Sequence, residues 1–355
     1  MEIAIAEKDN NFALIHIIGA TMVIWGHMSC LLGLPAPTFL NFDVHGQGVN
    51  ILFVVSGFLV AKSYDRDPSI IKFYFKRLMR IYPSLILCVV VCAIAGKAFS
   101  IYDWTTYSIG AKGYVINNLL MRPQYELPGV FWDNPYPKSV NGALWTLPIE
   151  LLCFFVLPFV LNILKLLQKW LKATKTIALF AGAILLSLAA IFIERTMAGQ
   201  SLAFWATDWL QSVRLLAYFF WGVAFSSLSL HRIETICRGD IAVLTMVACS
   251  CMGAYFPKSC NYIIIPYVVM SFAYLGKDVG RDFFNRHDYA YGLYLWSFPV
   301  QQVVICCLYN KCTVSIFVYF LISFAIAMIL AVITNKAVEM PVQKSTLKLL
   351  RKNMA

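Results

Sequence analysis

The sequence predicts an all-α, polytopic helical membrane protein with about ten transmembrane helices and both termini in the cytoplasm. Of its 355 residues, 60% are apolar and only 13% are charged, and the mean hydropathy is +0.71. Apolar stretches long enough to cross a bilayer recur along the chain, each bounded by charge, Pro or Gly. With the N-terminus inside, most of the 29 lysines and arginines fall in cytoplasmic loops. This distribution explains the net charge of +11 without a nucleic-acid partner.

The predicted spans differ in length, and the two shortest, 241–256 and 262–276, are the weakest. We expect a transmembrane domain over 1–340 and a basic cytoplasmic tail over 341–355. The N-terminal MEIAIAEKDNN lacks the basic start and cleavage site of a secretory signal, so the first helix is expected to be retained. The predicted spans are 12–32, 47–64, 82–102, 144–164, 176–193, 212–229, 241–256, 262–276, 289–309 and 314–335.

The first span contains two histidines, His16 and His27, in an otherwise apolar helix. At about 100° per residue, their spacing returns them to within roughly 20° of one helix face. Ionisable side chains inside a span are costly and usually face a protein interior or a wet cavity. Both histidines are therefore candidate functional residues.

The second span places Asn50 near its outer start and Ser56 near its middle, within GVNILFVVSGFLV. Both are candidate cavity-lining residues. Ser56 and the adjacent Gly57 have a competing interpretation, because small residues also allow two helices to pack closely.

The loop after the second span is the most basic stretch, and its segment FYFKRLMRIYPS predicts an amphipathic helix on the membrane surface. Arg77 and Arg80 lie one turn apart on one face of that helix. Two guanidinium groups so placed suit a ligand that carries several phosphates. Contact with anionic lipid headgroups is the competing interpretation.

The longest region between spans, 103–142, is rich in aromatic residues, Pro and Asn and is expected to cover or form a binding site. Its rings suit either stacking on sugar faces or anchoring at the membrane interface. The segment LWTLPIE follows, with Trp145 before Pro148, and Pro148 is expected to relax the helix. Glu150 then lies about 9 Å from the outer end of its span, at a depth similar to that of His27. We therefore expect a His27–Glu150 pair in which the carboxylate orients a proton-accepting imidazole.

Spans five to eight carry almost no ionisable groups and are expected to be scaffold. In the ninth span, Tyr294, Ser297 and Gln301 follow an i, i+3, i+7 spacing that gives one polar face. Most of the 11 cysteines lie inside apolar spans, and Cys260 and Cys312 in neighbouring outer loops are the candidates for a disulfide. No Cys or His cluster has metal-ligand spacing, so no metal is expected.

Taken in order, these segments resemble the motifs of the membrane acyltransferase family 3. The first helix is similar to the family's Arg-x10-His, with His27 retained and His16 in place of the Arg. FKRLMRIYP matches its Arg-x-x-Arg loop at Arg77 and Arg80, and LWTLPIE matches its Trp–Ser/Thr–Leu–x–x–Glu segment.

The second helix also resembles the family, with Asn50 where Asp or Glu is usual. YGLYLWSFPVQ is similar to its Tyr-Leu-x-His-x-Pro helix, with Ser297 where many members have His, and VEMPVQK resembles its closing Glu-x-Pro. The ordered set covers essentially the whole chain.

The resemblance implies an enzyme of the inner (plasma) membrane that transfers an acyl group, commonly acetyl, from cytoplasmic acyl-CoA to a carbohydrate hydroxyl. It implies no bound cofactor, because acyl-CoA is the donor substrate. Donor phosphates would meet Arg77, Arg80 and His16. His27 would accept the hydroxyl proton or carry the acyl group covalently, and Glu150 would orient it. The candidates for acceptor or cavity contacts are Asn50, Ser56, Trp145, Tyr294, Ser297 and Gln301.

Two other classes stay open. A proton-coupled transporter or flippase would also bury His and Glu between helices, although the chain shows no internal repeat. A family member that has become a binding or regulatory protein is the second alternative, because His16 replaces a permanent cation. Many relatives append an SGNH-type hydrolase domain, which this sequence lacks, so it is expected to finish the transfer alone or with a partner. The acceptor glycan, the acyl group and the oligomeric state stay open.

Overall fold

The computed structural model describes residues 10–168, 174–197, 203–205, 207–275, 288–309 and 314–352. Within these residues, helices make up nearly all of the regular structure, and the strands form two short antiparallel hairpins. The predicted all-α class is confirmed for this part of the chain.

The elements follow one another with short connections. In chain order they are α1 (Phe12–Leu31), β1 (Thr38–Phe39), β2 (Phe42–Asp43), α2 (Val44–Arg66), α3 (Ile70–Ala95), α4 (Trp104–Leu119), α5 (Thr146–Leu167), α6 (Lys175–Thr196), β3 (Ala203–Phe204), β4 (Thr207–Asp208), α7 (Trp209–Ser226), α8 (Leu230–Ile236), α9 (Gly239–Cys251), α10 (Asn261–Ala273), α11 (Ala290–Leu308), α12 (Ile316–Thr334) and α13 (Met340–Lys352).

Every predicted span coincides with a helix, but the helices differ in their capacity to cross a bilayer. Among the described residues, 7 helices are long and apolar enough, or 8 if α7 and α8, bent by 117°, form one span. Helices α9 and α10 have 13 residues each, which is about 20 Å against a hydrocarbon core of about 30 Å. The structure therefore supports a polytopic helical membrane protein, while the count of ten and the cytoplasmic termini stay predictions.

Two local predictions need correction. The segment FYFKRLMRIYPS is not a separate surface helix, because it continues into the third span as the 26-residue helix α3. Pro148 does not relax a helix interior either, because it lies in the first turn of α5, where a missing N–H costs nothing.

The region 103–142 contains the 16-residue helix α4, which the sequence analysis did not predict. Asp103 caps this helix by accepting hydrogen bonds from the backbone N–H groups of Thr105 and Thr106. Hydrogen bonds from Thr106 and Thr105 lower the pKa of the Asp103 carboxyl. After α4 the chain turns through non-glycine residues with positive φ, namely Met121, Phe131 and Lys138.

The described residues group into two compact units. The first contains those within Met1–Gly19, Thr38–Phe73 and Ile149–Asp288, and the second those within Ala20–Pro37, Tyr74–Pro148 and Tyr289–Ala355.

In the first unit, α2 and α7 pack with their backbones in contact. A Cβ added at Gly57 would lie 2.0 Å from the carbonyl oxygen of Phe219, and one added at Gly222 would lie 2.0 Å from that of Val54. Only glycine permits this approach, so close packing is the role of Gly57.

In the second unit, α11 is joined to α12 and α3 by buried polar contacts. The indole Nε1 of Trp296 donates to Thr334 Oγ1 at 2.8 Å, and the Tyr291 hydroxyl donates to the carbonyl oxygen of Ile81 at 2.9 Å. The predicted basic tail is helical through Lys352, as α13.

Candidate active site

His27 lies in the last part of α1, in the second unit. The residue is half-buried, and its Nδ1 is shielded from solvent. Phe298 of α11 packs edge-on against the imidazole, with ring centroids 5.4 Å apart and an interplanar angle of 77°. This contact supports the imidazole ring on one side.

Two further contacts support this arrangement. Gln301 of α11 is fully buried and donates from Nε2 to the carbonyl oxygen of Ile24 at 2.7 Å, one turn before His27. The phenyl ring of Phe298 packs directly against the backbone of Gly142. A Cβ added at Gly142 would lie 2.6 Å from the ring, so only glycine leaves room for it. The predicted site residue Gln301 therefore positions the helix turn that carries His27.

Three further predicted residues of the second unit, Tyr294, Trp145 and Ser297, lie on α11 or just before α5. The Tyr294 hydroxyl lies 2.9 Å from Thr146 Oγ1 and 3.0 Å from the carbonyl oxygen of Ala143. Trp145, in the 3₁₀ turn before α5, is half-buried. Ser297 is fully buried and donates to the carbonyl oxygen of Tyr294 at 2.9 Å.

Gln302 is a residue that the sequence analysis did not select, and it anchors the segment between Phe131 and Asn141. Its Nε2 donates to the carbonyl oxygens of Tyr136 and Ser139, at 2.9 and 2.7 Å. Its Oε1 accepts from Asn134 Nδ2 at 2.8 Å. A glutamine inside an apolar span must find hydrogen-bond partners, because leaving its amide unpaired there is costly. Its position in the span was therefore the signal by which the sequence could have identified Gln302.

Arg77 and Arg80 lie in the first half of α3, where Arg77 is buried and Arg80 half-buried. Ser84 follows on the same helix face and donates to Glu339 Oε1 at 2.8 Å. The buried Glu339 therefore brings a carboxylate to the face of α3 that carries both arginines.

An apolar cavity of about 240 Å³ also lies in the second unit, lined by residues that include Cys92, Gly96, Phe131, Val300 and Leu330. Such a lining suits hydrocarbon rather than a phosphate or a sugar hydroxyl. This cavity is therefore not the place for the polar chemistry.

In the first unit, His16 lies beside Asp288, with Nδ1 and Oδ2 3.4 Å apart and both side chains nearly buried, at 9% and 8% exposure. The carboxylate of Asp288 faces Nδ1 and orients the imidazole ring. His16 thus lies beside a carboxylate, at the position where the family motif has Arg.

Asn50 is fully buried in the first unit, within a chain of amides. Its Nδ2 donates to Gln47 Oε1 at 3.0 Å, and Gln47 Nε2 donates to Asn261 Oδ1 at 3.0 Å. Ser56 is half-buried beside the glycine contact of α2 and α7.

Glu150 is half-buried in the first two turns of α5 and interacts electrostatically with Cys153 in the same unit. Because His27 belongs to the second unit, the predicted His27–Glu150 pair stays a prediction.

Cys260 is a free thiol, and Cys312 lies outside the described residues. Within the described residues, no group of three or more His, Cys, Asp or Glu side chains is arranged to hold a metal ion.

Comparison with known proteins decides the class. A family model described as an acyltransferase domain matches residues 10–335. The chain belongs to acyltransferase family 3. The resemblance drawn from the motifs is thereby confirmed, as is the prediction of an acyltransferase enzyme, so the transporter and binding-protein alternatives lose their support.

Two curated relatives align with most of this acyltransferase. It is 27% identical over 316 residues to a protein of Shigella phage Sf6 named O-acetyl transferase, covering 84% of this chain and 86% of the relative. It is 26% identical over 337 residues to Nodulation protein 10 of Rhizobium leguminosarum bv. viciae, covering 83% and 84%. No solved structure matches the chain significantly.

Proposed function

We propose that this acyltransferase moves an acetyl group from acetyl-CoA to a hydroxyl of an exported or cell-surface carbohydrate, in the inner membrane. Family membership sets the reaction class, and the relative named O-acetyl transferase supports acetyl as the group. The observation that carries the proposal is His27, an imidazole held edge-on by Phe298 with its Nδ1 shielded.

The chemical step follows from that geometry. The Nε2 of His27 accepts the proton of the acceptor hydroxyl while the oxygen attacks the thioester carbonyl. The tetrahedral intermediate collapses by breaking the C–S bond, and the imidazolium returns the proton to the coenzyme A thiolate. Glu150 stabilises the imidazolium in this proposal. A neutral ester and a thiol are the products, so charge and protons balance.

The donor is bound by the arginine face of α3. Arg77 and Arg80 are one turn apart and offer two guanidinium forks to the coenzyme A phosphates. Glu339 lies on the same face and orients the pair by charge. His16, which lies beside Asp288 in the first unit, is a further candidate for donor binding.

The acceptor is bound by the region 103–142. Its rings include Trp104, Trp132 and Tyr136, whose exposed fractions are 65%, 47% and 47%. Lys138 lies 4.7 Å above the ring of Trp132, which combines a cation with an aromatic face. Gln302 holds this segment in place from α11.

The acceptor and the acyl group are identified by comparing surface glycans from cells with and without the gene by mass spectrometry. We expect a mass difference of one acetyl unit on the glycan. Identical glycan masses in the two strains would refute the proposal.

The donor assignment is tested by replacing Arg77 and Arg80 together with Gln. We expect the KM for acetyl-CoA to rise at least 10-fold, because charge-assisted hydrogen bonds to phosphate contribute about 1.5–3 kcal/mol each. Arg232→Gln, at an exposed arginine, is the matched control. An unchanged KM in the double variant would return both arginines to a structural role.

The proposed pairing of His27 with Glu150 is tested by a double-mutant cycle with His27→Asn and Glu150→Gln. Coupling in kcat beyond about 0.5 kcal/mol supports the pair. Simple additivity argues that Glu150 acts elsewhere.

A further inference from the structure

Arg214 is a charged residue of the first unit that the proposed mechanism does not use. It lies in the second turn of α7, inside the predicted sixth span. Its side chain is half-buried, and its Nε is shielded from solvent. Within the described residues, no hydrogen bond or ion pair uses its guanidinium. A cation inside a span requires a functional explanation.

The ring of Phe42 covers one face of the guanidinium, 4.7 Å from its central carbon. Phe42 is itself fixed, because a Cβ at Gly46 would lie 2.4 Å from the phenyl ring. A ring stacked on one face directs the N–H groups of the fork sideways, where they can meet a ligand.

The hairpin that carries Phe42 is built to hold this position. Its turn residues Leu40 and Asn41 have positive φ values of 53° and 54°. Asn41 Nδ2 lies within hydrogen-bond distance of the carbonyl oxygens of Gly253, Ala254 and Phe256, at 3.0, 3.1 and 2.8 Å. The strained turn is thus secured by contacts more than 200 residues away in sequence.

The groups around Arg214 are mostly donors. Tyr218 and Tyr262 stack with centroids 5.1 Å apart, and both interact electrostatically with Arg214. His45 is a further neighbour.

Two carboxylates, those of Asp43 and Glu194, act on Arg214 from a distance, and neither comes within 4.0 Å of it.

We propose that Arg214, Phe42, Tyr218 and Tyr262 form a binding site for the carboxylate of an acidic sugar in the carbohydrate acceptor. This rests on the proposed function, which supplies the carbohydrate. Under the predicted topology, α2, α7 and α10 all begin on the outer side, where an exported glycan is presented. A planar carboxylate matches the guanidinium fork, and the tyrosine hydroxyls suit the neighbouring sugar hydroxyls.

The test uses the purified full chain in phosphatidylcholine nanodiscs, with D-glucuronate as the probe and D-glucose as the uncharged control. Saturation-transfer difference NMR measures binding without requiring acyl transfer, so its result is separate from that of the glycan comparison. We expect saturable glucuronate binding by the unaltered chain, an affinity at least 10-fold weaker in Arg214→Gln, and partial recovery in Arg214→Lys.

Phe42→Leu keeps the cation and removes only the ring, so we expect it to weaken glucuronate binding about 3-fold, as loss of a cation–π contact predicts. This variant keeps the proposal testable if Arg214→Gln does not fold, as judged by thermal melting. Equal binding of glucuronate by the unaltered chain and Arg214→Gln, or no preference over D-glucose, would overturn the proposal. Displacement of glucuronate by phosphatidylglycerol in the nanodisc would assign the site to a lipid headgroup and overturn it as well.

Discussion

Gln302 anchors the segment between Phe131 and Asn141, and this anchoring gives a quantitative prediction. Gln302→Leu removes three side-chain hydrogen bonds, to Tyr136, Ser139 and Asn134. Each contributes about 0.5–1.5 kcal/mol net, so the segment loses roughly 3 kcal/mol of its local stability. Since 1.4 kcal/mol is a factor of ten, the open population rises by roughly 100-fold.

Trypsin provides the assay, because Lys138 is exposed in this segment. We expect cleavage after Lys138 in the purified protein to accelerate by roughly 100-fold in Gln302→Leu, since cleavage follows the open population. The KM for the acceptor should rise, while the KM for acetyl-CoA should not change. Gln168→Leu, at an exposed glutamine, controls for the loss of an amide. An unchanged cleavage rate would refute the anchoring role.

Two further predictions concern stability. Gly222→Ala should lower the free energy of unfolding by about 1–3 kcal/mol, because its Cβ meets the Val54 carbonyl. Thermal melting measures both this variant and Gly182→Ala, where an added Cβ meets nothing within 4 Å. Gly182→Ala should be neutral or stabilising, and an equal loss of stability in both variants would contradict the packing argument. Because its folded-state pKa is lowered, Asp103 stabilises the start of α4 above its unfolded-state pKa and loses this effect as the pH falls through the folded-state value. Hydrogen exchange should therefore show the protection of Thr106 falling on acidification in the unaltered chain but not in Asp103→Asn, and identical profiles would exclude the cap.

The long helices were predictable because their signal is local. A run of apolar residues that spans a bilayer specifies a helix wherever it packs. Helix α4 was missed because WTTYSIGAKGYVINNL contains Gly, Asn and β-branched residues and no strong apolar periodicity. The capping sequence at Asp103 was the available signal.

Residues of the candidate site could be predicted where a polar side chain lies inside an apolar segment, because burying such a side chain costs free energy. His27 and Gln301 could be selected from the sequence because each is a polar side chain in an apolar helix. Arg214 meets the same criterion, but the sequence analysis did not select it. Partners were not predictable. The contact of His16 with Asp288 joins residues 272 positions apart in sequence, and only the fold brings them together.

The central claim is that His27 accepts the proton of the acceptor hydroxyl. The direct measurement is transfer of radiolabelled acetyl from acetyl-CoA to the isolated glycan by purified protein, comparing the unaltered chain with His27→Asn and with His231→Asn, at an exposed histidine. We predict that His27→Asn lowers kcat by at least 100-fold, as loss of a general base does, with an unchanged melting temperature and KM for acetyl-CoA. His231→Asn should retain full activity. Substantial turnover by a folded His27→Asn protein would contradict the account.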